Sequence, residues 1–419
     1  MPINRKTIRD AVDGLMPSAV DFLCKLIAFP STSGKEHDLM CWAAGQFEKL
    51  GVEVVRVPLS DAIKQDEDYS SPVPDIDYDG RFNLRVRLPG SGGGKRLLLN
   101  SHTDVVPPSQ GQIKPFEPVT ADGIVHGRGA CDAKGQVATI YLILATLKQL
   151  DVQLPGDVIA HVVNEEENGG NGTLAMVRAG EQADACIVME PTTNRIYTSV
   201  RGAVWFRLLC QGKPGHSGRA GDTVSALTLA RKAMDLLEQY HDDLLAASRG
   251  IALFDKFENP MPITFGRCTA GDWPATAPAR AVVEGVLGLL PNKTRHQVMD
   301  EMRAVLDNSD DRRLAERVTL EFMYRHDSHV LDPEHPLVVG LKRCAADWEL
   351  PVEVDAMTAS CDSWYYNNQL GIPSVVYGPG TLAYAHGNEE QIAIADMAEA
   401  ARMLTDFAIR WCDVGYASA

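Results

Sequence analysis

What most constrains the fold of this chain is a set of short runs that are apolar with little alternation and are each followed by an acid or an imidazole. They cover residues 97–99, 157–163, 185–189 and 373–377. A strand with one wet face alternates polar with apolar side chains, whereas a continuous run must be covered on both faces. Helical spacing fills the intervals, at 20–29, at 38–50 and most clearly at 135–150, where Val137, Ile140, Leu144 and Leu147 make one stripe. Strands of this kind alternating with helices predict an α/β fold built on a mostly parallel sheet.

Near residue 200 the pattern changes. Residues 203–210 read as a half-buried strand, and a turn-rich KPGHSGRAGD leads to a helix over about 224–240. A second strand follows at 281–290, with a polar helix after Pro291. About 120 residues of strand, helix, strand and helix suffice for a small α+β domain inserted into the first. The expected division is therefore a larger domain over 1–199 and 324–419, interrupted by a smaller one over 200–323. The acidic stretch from Asp61 to Asp79 reads as a solvated loop, with a place at the site entrance as the alternative.

Composition narrows the function. With 40 basic and 56 acidic residues the net charge is -16, which repels a polyanion, so no nucleic-acid partner is expected. No run of 18 apolar residues suggests a membrane span, and the start MPINRKTIRDAVDGL lacks the apolar core of a secretory signal. A cytoplasmic location is expected. Nine cysteines without a CxxC suit reduced core thiols rather than disulfides or a zinc knuckle.

The chemistry gathers where an open α/β sheet places its ligands, beyond the strand carboxyl ends. In LLLNSHTDVVP, His102 follows a strand, and Asp104, on the same side of an extended chain, is placed to orient its ring. In GRGACDAKG, Asp132 lies in a Gly-rich turn ahead of a helix, where an N-cap is the plainer reading. HVVNEEENGGNG ends a strand with Glu165, Glu166 and Glu167, like charges that make sense behind a buried strand if a cation neutralises them. CIVMEPT puts Glu190 at another strand end, and YGPGTLAYAHGNEE puts His386 in a loop after the last. Alone, each has a structural explanation. Together they offer two imidazoles and several carboxylates, hard ligation suited to zinc and tolerant of cobalt or manganese.

SHTDVVP, GRGACDAKG, NEEENGG, MEPT and AHGNEE, in this order, resemble the metallopeptidase M20 family of acetylornithine deacetylase, succinyl-diaminopimelate desuccinylase and glutamate carboxypeptidase. The resemblance spans nearly the whole chain. It implies a zinc-hydrolase catalytic domain with an inserted lid and dimerisation domain, and two zinc ions per chain bridged by Asp132. His102 and Glu190 would complete one site, Glu166 and His386 the other. It further implies Glu165 as the general base, Asp104 as the partner of His102, and His216, in Gly215-His216-Ser217-Gly218, as a lid histidine reaching the neighbouring site of a homodimer. The expected activity is hydrolysis of a linear amide, an N-acyl amino acid or related small molecule. A metal-dependent dipeptidase or carboxypeptidase is the enzymatic alternative, and a non-catalytic binding protein the alternative of another class.

Three departures bear on the substrate. Ala275 stands where many members carry Asn, Val286 or Gly288 where an Arg is common, and Trp364 where Asp-x-Arg would end. The usual contacts to a substrate carboxylate are thus missing, unless Arg201, Arg219, Arg267 or Arg280 replaces them. Trp364 is expected to offer an apolar face instead.

Overall fold

The computed structural model describes residues 3–219 and 221–413. Its larger sheet has nine strands. Val158–Val163, Leu97–His102, Ala185–Val188 and Ser374–Val376 lie side by side and parallel at its centre. Antiparallel Glu53–Pro58 and Phe82–Leu88 extend one side. Ile196–Val200 extends the other, with His329–Val330 and Val354–Met357 paired to it.

The uninterrupted apolar runs have the double burial they imply. Leu97 and Leu99 pack into one core with the helices Arg5–Ile27, His37–Lys49, Lys134–Gln149 and Ile394–Cys412. Leu98, Ile159, Cys186 and Val188 point the opposite way, into a second core with Leu174, Tyr365 and Tyr366. Each strand thus serves two layers, and its carboxyl end opens onto loops at one edge. The strand Phe82–Leu88 breaks the apolar rule with Arg85 and Arg87, which are satisfied by Glu181 and by Glu53 and Asp157.

The smaller sheet is antiparallel, in the order Ile263–Ala270, Arg280–Leu289, Gly202–Gln211, Val318–His326. Val204, Phe206, Leu208 and Cys210 turn toward the helices Ala226–Ala247 and Arg295–Asp307 and form a separate core. The intervening residues, Trp205 among them, face away from those helices. A capping box of Thr294 and Gln297 starts the second helix. Among the described residues no helix is long and apolar enough to cross a membrane.

Candidate active site

His102 is the last residue of its strand and is buried. Its Nδ1 lies 2.9 Å from the Asp104 carbonyl oxygen and 3.5 Å from the Asp104 carboxylate, and its Nε2 lies 3.1 Å from Asp132 Oδ1 and 3.9 Å from Glu190 Oε1. Asp132 is no helix cap: the N-cap of Lys134–Gln149 is Ala133, and both Asp132 oxygens are turned to imidazoles. Its Oδ2 is 3.3 Å from His386 Nε2, which lies 3.1 Å from Glu167 Oε1. Two groups of donors result, His102–Asp132–Glu190 and Asp132–Glu167–His386, each with its donor atoms within 4.8 Å of one another and with Asp132 common to both.

The run of three glutamates is where structure and expectation part. Glu165, expected as the general base, is fully buried behind the site. Its Oε1 accepts from Arg81, and its Oε2 accepts from Tyr78 Oη at 2.6 Å and from Asn171 at 3.2 Å. Glu165 has a left-handed backbone (φ 60°), which turns its side chain away from its neighbours'. Glu166, expected as a ligand, is absent from both donor groups, and Glu167 stands in its place. Asp104 sets this register. Its two carboxylate oxygens accept from the backbone N–H groups of Glu166 and Glu167, at 3.1 and 3.0 Å. After Asn168, Gly169 (φ 98°) and Gly170 (φ 76°) bring the chain close to its neighbours. A Cβ on Gly169 would fall 2.3 Å from Ser70 and 2.8 Å from Tyr324, so only glycine fits.

Glu390 and Arg128 were not singled out from sequence, although Glu390 ends the AHGNEE motif. Both are buried. Glu390 Oε1 accepts from the N–H groups of Cys131 and Asp132, at 3.2 and 3.1 Å. Arg128 donates to Glu390 Oε2 at 2.5 Å and to Ser109 Oγ at 2.9 Å, and Ser109 in turn donates to the His386 carbonyl at 2.6 Å. One ion pair thus ties the Asp132 turn to the His386 loop.

Burial pushes Glu166, Glu167 and Glu190 above the ordinary carboxylate range. Asp132 is desolvated too, but hydrogen bonds from His102 and His386 outweigh that and hold it low. Hydrogen bonds to Asp132 and Glu167 raise His386 to about 11, and His102 is raised against its own burial by Asp104 and Asp132. The buried acids thus draw positive charge toward the site, and imidazole nitrogens together with carboxylate oxygens fit a divalent metal.

His216 is exposed. Its Nδ1 accepts from the Gly218 N–H at 3.1 Å, and none of its described contacts within the chain is to the donor groups. Trp364 is buried against His326 (ring centroids 4.5 Å apart) and lies under Arg295. It lines a polar cavity of about 670 Å³ with Asp68 and Arg178, not the cavity that contains Glu167. Of the four candidate clamps, Arg201 donates to the Thr358 carbonyl and lies where a Cβ on Gly288 would touch it. Arg267 pairs with Glu284, Arg280 is exposed, and the Arg219 side chain lies outside what the structure describes.

A family model described as Peptidase family M20/M25/M40 matches residues 98–410. The chain belongs to that family. Over 408 residues, 89% of each chain, this M20 member is 27% identical to N-formyl-4-amino-5-aminomethyl-2-methylpyrimidine deformylase of Bacillus subtilis. Over 394 residues, 90% of this chain and 93% of the other, it is 25% identical to acetylornithine deacetylase of Shigella sonnei. The dipeptidase Dug1p of Saccharomyces cerevisiae shares the fold, with a TM-score of 0.80 at 14% identity over 98% of this chain and 99% of that one. As an M20 protein, the chain is an amidohydrolase or peptidase, with a donor cluster suited to divalent metal.

Proposed function

We propose that the chain hydrolyses a linear amide, removing an acyl group from an amine, with Glu166 as general base and with two divalent ions, zinc first among them. His102, Asp132 and Glu190 would hold one ion, and Asp132, Glu167 and His386 the other. When bound, such a pair acidifies water and polarises a carbonyl. The observation that carries this reading is the division of the Asp132 carboxylate, one oxygen to each imidazole.

Glu166 is adjacent to a donor, is not one itself, and is only partly exposed. A carboxylate raised toward neutrality is suited to take a proton from the attacking water and deliver it to the leaving amine, so that the amine departs neutral. Asp104 acts beforehand: it orients His102 and, through two N–H groups, fixes where Glu166 and Glu167 point. The deformylase and deacetylase relatives, which align over about nine-tenths of the chain, support deacylation as the reaction.

The smaller unit, expected over 200–323 and carrying its last strand to His326, would act as lid and dimerisation domain, with His216 reaching the partner's site. Elemental analysis with one pair of variants tests the chemistry. Glu166→Gln should keep close to two metal ions per chain and lose about 10² to 10⁴ in kcat, whereas Glu167→Gln should lose metal. Equal metal loss in both would remove Glu166 from the role of base.

A further inference from the structure

A cavity of about 350 Å³ opens beside Glu167, walled by Trp205, Val286, Met323, Pro72 and Val73. Trp205 and Val286 are directly paired across neighbouring strands, so they share the face of the smaller sheet opposite its helices. The wall from the larger unit is held on both sides. The Val73 N–H donates to Asn168 Oδ1 at 2.9 Å, and the Ser71 N–H to the Met323 carbonyl at 2.7 Å. Stacking on Tyr324, with centroids 5.4 Å apart, fixes the Trp205 ring.

We propose that this cavity is the specificity subsite of the hydrolysis proposed above, on which the inference rests, and that it takes an uncharged, planar apolar group with Trp205 as the residue that selects it. Size permits a substituted aromatic ring, since an apolar cavity of about 150 Å³ already holds benzene. Charge excludes a carboxylate. Among the described residues that line the cavity the one cation is Arg267, which is paired with Glu284; Glu284 also accepts from Arg207, itself 3.7 Å from Glu321. Two cations and two anions leave no spare positive charge. A carboxylate placed there would give up its water for no partner. Glu167, which lines the cavity, is also a donor of the candidate metal centre, so a group seated against Trp205 lies in the same cavity as a donor of that centre.

Calorimetric titration of metal-loaded Glu166→Gln protein reads binding without turnover. N-acetylbenzylamine should bind at least tenfold more tightly than N-acetylglycine. Adding Trp205→Ala should cost about tenfold for the benzyl compound and under twofold for the glycine compound, and Val286→Arg should reverse the preference. Trp205→Phe, which keeps the ring stack, should retain most of the benzyl affinity and serves if the alanine variant does not fold. Equal or tighter binding of N-acetylglycine, or no loss on removing the Trp205 ring from a folded protein, would overturn the proposal. The two readings fail separately. Ring binding that depends on Trp205 in a protein hydrolysing no amide leaves the subsite standing without the reaction, and hydrolysis that favours N-acetylglycine leaves the reaction standing without the subsite.

Discussion

Three successive glutamates show how little a side chain's identity says about its role when its neighbours are identical. Spacing placed an acid cluster after a buried strand, but which residue turns inward is decided by one left-handed φ at Glu165 and by Asp104 grasping the next two N–H groups. Glu165 is thereby an anchor, sharing Arg81 with Glu36 behind the site. Breaking a buried ion pair by removing one partner costs about 3 to 5 kcal/mol. Glu165→Gln should therefore lower stability in denaturant unfolding by a few kcal/mol while metal content at saturating metal stays unchanged. Glu36 gives this anchor a pH dependence. Burial, reinforced by Asp104 and Glu165 and opposed by Arg81, raises its carboxyl to about 8. The folded chain therefore keeps a proton that the unfolded chain releases near the ordinary value, and stability present at low pH is lost as pH rises through about 8. Glu36→Gln cannot titrate, so its stability relative to wild type should increase between pH 5 and pH 8.5 in urea unfolding. A constant difference across that range would contradict the assignment.

Elements were legible where one force dominated. The apolar runs 97–99 and 185–189 and the stripe of Val137, Ile140 and Leu144 are read correctly because burial alone determines them, although the first strand continues to His102. The strand Ile263–Ala270 was missed because it is a mostly exposed edge whose Thr264, Arg267 and Thr269 carry no apolar pattern. The acidic stretch from Asp61 to Asp79 reads as a solvated loop with a place at the site entrance as the alternative, yet Ile76 and Tyr78 are buried and Pro72 and Val73 wall the cavity at Glu167. Its charges concealed two short anchors. Four of the five expected metal donors, His102, Asp132, Glu190 and His386, are brought together. What holds them together was hidden, because the ion pair of Arg128 and Glu390 joins residues far apart in sequence. Removal of such supporting hydrogen bonds typically costs about 10- to 100-fold in metal affinity. Glu390→Gln, which weakens its grip on Arg128 and on the Asp132 turn, should show a loss of that size in competition with a chromophoric chelator, while circular dichroism stays unchanged.

At the scale of the whole molecule, the larger sheet lies between two cores and the smaller sheet has a core of its own, and His216 lies beside the smaller sheet without a described contact to the donors of its own chain. If His216 serves a partner, inactive His216→Ala and inactive Glu166→Gln proteins should regain activity on mixing, because a mixed dimer has one site with both groups intact. Up to about half of the dimers form that site after random exchange. No recovery after mass spectrometry has verified exchange would place His216 outside the partner's site. The chain's route through the two units has another consequence. His102, Asp132 and Glu190 all precede the smaller sheet, whereas His386 follows it. On the ribosome, the first donor group is therefore complete in the emerging polypeptide before the smaller sheet is made, and the second must wait until the chain has returned. The two halves of the centre share one aspartate in space but are separated in time: a nascent chain passes through a stage in which every donor of the first half has been made, while His386 and the Glu390 that holds the Asp132 turn are still to come.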